Sequence, residues 1–177
     1  MSVVRQHIAV SSVHGTLTRA LSQQVASIER EVFGTSGCLK HAQTFVHGHW
    51  FLGNASNQHP HMKVDGYALL TGDENDSRSL CLDDLAVLPS ARRHGLGSRL
   101  VCNAIAFARR SGNKVLFTFV RVGDENENFY THLGFLPVAG TERTSACYPG
   151  EVVRRWELGD LGGEGATCRS TWKRASS

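Results

Sequence analysis

Apolar residues recur along this chain at two different spacings, and the change between them marks its organisation. From Thr16 to Val32 the positions Leu17, Leu21, Val25, Ile28 and Val32 fall on one stripe at helical spacing. Thr16 is placed to cap this helix and Gly34 to stop it. Phe45–Leu52, Val64–Thr71 and Ser79–Leu88 are short runs rich in β-branched, aromatic and aliphatic residues, separated by polar loops. They predict three strands in an antiparallel meander. Ile8–Val10 is a weak signal for an earlier strand.

From Leu80 to Pro137 the pattern becomes strand, tight turn, helix, strand, short helix. Leu85-Ala86-Val87-Leu88 stops at Pro89. The helix predicted from Gly97 to Ser111 carries Leu100, Ala104, Ile105 and Ala108 on one face and ends at Gly112-Asn113. Lys114–Val120 reads as a strand able to lie parallel to Ser79–Leu88 through a right-handed crossover. Glu125–Leu133 reads as a short helix, and Phe135–Val138 and Glu151–Leu158 as strands. The fold class that follows is α/β, of the mixed α+β kind: a central mixed sheet flanked by helices. Residues 1–158 form one domain, and 159–177, rich in Gly, Ser and Arg, read as a flexible tail.

Composition narrows the function classes. The chain has 177 residues, 41% hydrophobic and 20% charged, which suits one globular domain with a real core. A net charge of +3 allows an anionic ligand but lacks the basic excess of a nucleic-acid binder. No window resembles a membrane span or a secretory core, so the default expectation is a cytoplasmic protein without a membrane partner. The five cysteines are odd in number and widely spaced, with no C-x-x-C. Reduced thiols are expected, at Cys81 and Cys102 in particular.

The turn Arg92-Arg93-His94-Gly95-Leu96-Gly97-Ser98 lies between a strand and a helix. Unpaired amides at a helix N-terminus suit a pyrophosphate, glycine lets backbone approach it, and the arginines add charge. A P-loop is excluded because no Gly-Lys-Ser/Thr occurs. A dinucleotide loop is excluded because Leu100 stands at the third glycine position. A left-handed turn with solvated arginines is the plainer alternative.

Taken together, Leu85-Ala86-Val87, Pro89, Arg92-x-x-Gly95-x-Gly97, Phe129-Tyr130 and Gly134-Phe135 resemble the GNAT superfamily of acetyl-CoA-dependent N-acetyltransferases. The resemblance covers roughly residues 64–138. It implies a GNAT fold, with a strongly twisted mixed sheet splayed between the strands ending at Val87 and Val120 to admit acetyl-CoA. It implies that Leu85, Ala86 and Val87 pair with the pantetheine arm, that amides of Arg93, His94, Gly95, Leu96, Gly97 and Ser98 hold the pyrophosphate beside Arg92, and that Asn126 adds a polar contact.

The chemistry so implied is transfer of acetyl to a primary amine. The acceptor is a peptide or protein N-terminus, or a small amine such as an amino sugar or polyamine. Tyr130 is the expected acid for the departing thiolate, since a phenol is protonated at neutral pH. Asp83 is the expected base, with Asp84 as substitute. These two adjacent strand residues should face opposite ways, Asp83 with Cys81, Leu85 and Val87. Relatives acting on ribosomal-protein N-termini can carry a glutamate where Phe119 stands here. Direct transfer needs no cysteine nucleophile. His47-x-His49 would share a strand face but lacks a completing ligand set, so no metal is expected. A non-catalytic acyl-CoA sensor on the same fold is the alternative, and a homodimer is one option for assembly.

Overall fold

The computed structural model describes residues 8–34, 48–55, 63–73, 76–145 and 148–161. The elements are β1 (Ala9–Gly15), α1 (Arg19–Phe33), β2 (Gly48–Asn54), β3 (Gly66–Gly72) and β4 (Ser79–Val87). A 3₁₀ turn (Pro89–Ala91) leads to α2 (Leu96–Arg110), β5 (Val115–Arg121) and α3 (Asn126–His132). The short β6 (Leu136–Pro137) and β7 (Arg143–Thr144) precede β8 (Val152–Leu158). The strands form one mixed sheet in the order β1-β2-β3-β4-β5-β8-β6, with β7 also on β8. β1 to β4 pair antiparallel, β5 joins β4 in parallel, and β8 runs antiparallel to β5. This is the mixed α/β architecture expected, with the meander and the crossover helix in place.

The element ends shift for local reasons. Helix α1 starts at Arg19 because the extended Thr18, not Thr16, caps it, its hydroxyl accepting from the Leu21 amide at 3.4 Å. Gly34 ends it with φ 78°. The strand expected from residue 45 is described from Gly48 onward; His47 and the earlier residues lie outside the described segments. The described residues run three positions past the boundary expected at 158. Leu161 is buried in the core, its amide donates to Lys114 O at 3.0 Å, and its carbonyl accepts from Arg109 Nε at 3.1 Å.

Two apolar layers cover the sheet. On one face α2 packs Leu96, Leu100, Val101, Ala104, Ile105 and Ala108 against Phe51, Leu82, Leu116 and Trp156. On the other, α1 packs Val25 and Ile28 against Trp50, Leu52, Tyr67, Leu69 and Ala86. The alternation of Trp50, Phe51 and Leu52 between the layers is the two-residue period of a central strand buried on both sides. Gly53 lets α2 lie directly on β2, since a Cβ there would stand 2.5 Å from Leu96 Cδ1. That contact sets the height of the N-terminal turn of α2 above the sheet.

Histidine 49 belongs to this packing. Its ring stacks on Phe107 of α2 with centroids 3.8 Å apart, and His14 meets it edge-on at 5.7 Å. Burial, then His14 and Arg110, hold its pKa below the ordinary 6.5. The unfolded chain therefore takes up a proton at this site before the folded one does. Stability is expected to be full above pH 6.5, to fall as the pH drops through that value, and to level below the folded pKa. Urea melts between pH 5 and 7.5 on wild type and His49→Phe test it: the variant loses this part of the acid slope. An identical slope in both would assign the effect elsewhere.

Candidate active site

The parallel strands β4 and β5 pair only where Ser79, Leu80 and Cys81 face Val115, Leu116 and Phe117. Beyond these pairs they part, as expected, leaving the edge of β4 from Leu82 to Val87 without a strand partner on this side among the described residues. At about 3.4 Å per residue the opening runs roughly 17 Å. Its apex is fixed by a side chain. Thr118 Oγ1 donates to Leu82 O at 2.9 Å, bridging the strands just where the ladder stops.

At the same height β4 is bulged. Leu82 faces Leu70 and Asp84 faces Leu69, so Asp83 has no opposite number on β3. The bulge breaks the strict alternation expected for this strand. Cys81 faces Phe117, away from α2, whereas Leu85 and Val87 pack against the α2 core instead of sharing the face of Cys81. Asp83 is exposed at the bulge. Asp84 turns toward the α1 layer, where Tyr67 Oη donates to its Oδ2 at 2.6 Å. The same phenol oxygen lies 3.1 Å from Glu29 Oε1, on a glutamate only 1% exposed. Burial first, then the charges of Asp84 and Glu29, push the Tyr67 phenol far above its ordinary 10.0.

The turn after Pro89 stands at the open end of the cleft. Arg92 Nε donates to Val87 O at 3.1 Å, so this guanidinium braces the end of β4. Arg93 has φ 64°, the sole positive value on a non-glycine among the described residues, and Gly95 has φ 83°. Such alternation turns successive amides inward and makes an anion-binding hollow. Gly95 is also the N-cap of α2 and offers no side-chain cap. The amides of Leu96, Gly97 and Ser98 precede the first helical bond, Arg99 N to Gly95 O at 3.0 Å. Leu96 commits its side chain to the core and has only its amide to give. Arg93 and His94 are exposed.

Helix α3 closes the cleft. Phe129 lies against the first turn of α2, where a Cβ on Gly97 would meet its Cζ at 3.6 Å. Tyr130 is buried at the apex, edge-on to Phe129 and Phe135 with centroids 5.1 and 5.5 Å away. Burial raises its phenol well above 10.0, and a hydrogen-bonding contact with the Thr118 hydroxyl works the other way. Asn126 is exposed at the start of α3, its Nδ2 donating to Asp124 Oδ1 at 2.8 Å.

The thiol of Cys81 is pushed up to about 12, chiefly by burial and then by Asp83, so it stays un-ionised at neutral pH. Cys102 on α2 is disulfide-bonded, not the reduced thiol expected. The described residues hold no cluster of His, Cys, Asp or Glu suited to a metal ion, and no helix long and apolar enough to cross a membrane. Two further sets of contacts are hidden in the sequence. One joins Tyr67 to Glu29 and to Asp84, the residue expected as substitute base. The other is a pair of arginines on phenylalanine faces: Arg143 Cζ is 3.4 Å from the Phe119 centroid and Arg155 Cζ 3.8 Å from that of Phe117.

Residues 24–135 match the family model described as "Acetyltransferase (GNAT) family". Among solved structures, the ribosomal-protein-S18-alanine N-acetyltransferase from Escherichia coli is 19% identical, covers 90% of this chain and 98% of its own, and gives a TM-score of 0.67. The Bacillus subtilis acetyltransferase in complex with CoA is 14% identical over 85% of this chain and 99% of its own, with a TM-score of 0.61. The Salmonella typhimurium yncA structure, with its cofactor acetyl-CoA, is 16% identical over 92% of this chain and 98% of its own, with a TM-score of 0.62. At these identities the likeness is one of fold. No curated protein matches the chain.

Proposed function

The chain belongs to the acetyltransferase (GNAT) family, and from that premise we propose that it transfers acetyl from acetyl-CoA directly to a primary amine. The observation that supports this most is the parting of β4 and β5, with an uncapped helix N-terminus at the open end and a buried phenol at the apex. Three features fit acetyl-CoA. The free edge of β4 at Leu85, Ala86 and Val87 suits pairing with the amides of a pantetheine arm. The hollow from Arg93 through Gly95 to Ser98 suits a pyrophosphate. Asn126, at the start of α3, adds a polar contact in this proposal.

Acetyl-CoA supplies the activated acyl group; the chain supplies placement and protons. Tyr130, kept protonated by burial, donates its hydroxyl proton at the sulfur that leaves. Asp83, exposed beside the apex, accepts the proton that the amine loses, directly or through water. With both carboxyl and phenol on the protein, no nucleophile is needed, in keeping with the un-ionised Cys81.

Gly97 provides the test. A Cβ at this position would meet Phe129 and Val87 at 3.6–3.7 Å, ordinary contact that the fold tolerates. Gly97→Ala is thus expected to leave the domain equally or more stable, by up to about 0.5–1 kcal/mol. Gly97→Glu is expected to stay folded and to weaken CoA binding at least 100-fold, on the order of 3 kcal/mol, because a carboxylate would enter the pyrophosphate hollow. Calorimetric titration of CoA, with thermal melts of each variant, decides it. Wild-type affinity in folded Gly97→Glu would remove this turn from the cofactor site.

A further inference from the structure

Resting on the acetyltransferase reading, we propose that the acceptor carries an anionic group, a carboxylate or phosphate, close to its amine, and that Arg143 and Arg155 hold that group. The β5–β8 bank of the cleft presents Phe117 and Phe119 on the face away from α2, opposite Glu157 and Arg155. Phe119 lies on the part of β5 that has already left β4. Arg143 reaches this face from β7, where it pairs with Val153.

Each guanidinium carbon lies over a phenylalanine ring, 3.4 and 3.8 Å from its centroid. A guanidinium over an aromatic face stays charged and planar, and its fork of N–H donors suits a carboxylate or phosphate. Arg155 spends one terminal nitrogen on Glu157 at 2.8 Å, and its buried Nε hydrogen has no acceptor among the described residues. Arg143 has no carboxylate within ion-pair distance among them. An unmet buried donor beside a second stacked cation describes a place prepared for an anion.

The opposite bank carries the complementary charge. Asp83 stands exposed at the bulge of β4, two residues beyond Cys81, whose backbone pairs with Phe117 under Arg155. A zwitterionic acceptor laid across this gap puts its ammonium toward Asp83 and its anion toward the arginines. A polycationic acceptor would set a positive group against both.

The experiment is steady-state acetylation at saturating acetyl-CoA with matched acceptors: glucosamine 6-phosphate against glucosamine, and free amino acids against their amides. Spermidine is the cationic control. Wild type, Arg143→Ala and Arg143→Lys are compared. The anionic member of at least one pair should have a kcat/KM more than about tenfold the neutral member's, carried by KM. Arg143→Ala should bring that ratio to within about twofold, and Arg143→Lys should restore only part of it, since an ammonium cannot fork. The responding pair separates phosphate from carboxylate. A wild-type ratio near one, a ratio unmoved by Arg143→Ala, or turnover confined to spermidine overturns the proposal. Absence of turnover on every amine would instead strike the acetyltransferase reading. Calorimetry on CoA-saturated protein then decides the anion site, with N-acetylglucosamine 6-phosphate and N-acetyl amino acids as probes. Binding lost in Arg143→Ala upholds the site, and no binding by wild type overturns it.

Discussion

Tyr130→Phe is expected to lower kcat by roughly 10²–10⁴-fold, the usual worth of one positioned acid, with CoA affinity held within about twofold. The hydroxyl is what the substitution removes. The ring keeps its edge-on contacts with Phe129 and Phe135, so the apex should stay packed. The cost in stability is that of one hydrogen bond, about 1 kcal/mol. Because burial raises the phenol above 10.0, wild-type Tyr130 stays protonated across the neutral and mildly alkaline range. Any fall in rate between pH 7 and 9 should then come from another group and persist in the variant's residual activity. Single-turnover rates and CoA titrations on both proteins read the two quantities separately. A kcat within a few-fold of wild type would leave Tyr130 as an aromatic of the core and move the proton to water or another donor.

Tyr67→Phe should produce the largest loss of stability, about 2–4 kcal/mol, or roughly 5–15 °C in Tm for a chain of this size. A phenol has one hydrogen, and the 2.6 Å contact places it toward Asp84. Glu29 Oε1, at 3.1 Å, faces the same oxygen from a site almost closed to water. Taking the hydroxyl away removes the dipole between two buried or half-buried carboxyls and sets them directly against each other. The double variant Tyr67→Phe/Glu29→Gln should recover at least half of the loss, since an amide carries no charge. Urea melts of the four proteins in this cycle give the coupling directly. A loss under about 1 kcal/mol in Tyr67→Phe would mean that water already reaches the pair.

Much of this arrangement is legible in residue order, and the exceptions share a cause. The strand, proline, glycine turn and helix from Leu80 to Arg110 are local signals, each residue announcing its own conformation. The apolar stripe of α1 is local too. The bulge at Asp83 is not, because a two-residue alternation run through β4 gives no sign that β3 skips a position. Glu29 was legible by position and hidden by type. It sits four residues after Val25 and three before Val32, on the buried stripe, yet a glutamate there reads as solvent-facing until Tyr67 is seen beneath it. The contact of Arg143 with Phe119 depends on β7, two residues long, meeting β8. A strand that short owes its existence to its neighbour, and no window of sequence predicts it. Leu161 docks against Lys114 and Arg109 for the same reason: its partners are distant in the chain.

The open flank of β4 is a sheet edge in the middle of a protein, and sheet edges recruit other chains. A flat, long, apolar edge would be a template for strand addition and aggregation. This one is cut short at both ends. Pro89 stands two residues beyond Val87 and offers no amide hydrogen, and the bulge at Asp83 twists the other end and sets an exposed carboxylate beside it. Charge, proline and twist are the devices by which exposed edges avoid joining one another. The features that shape the cleft for a slender ligand thus also make it a poor dock for another polypeptide, and the chain keeps a gap in its sheet without becoming sticky.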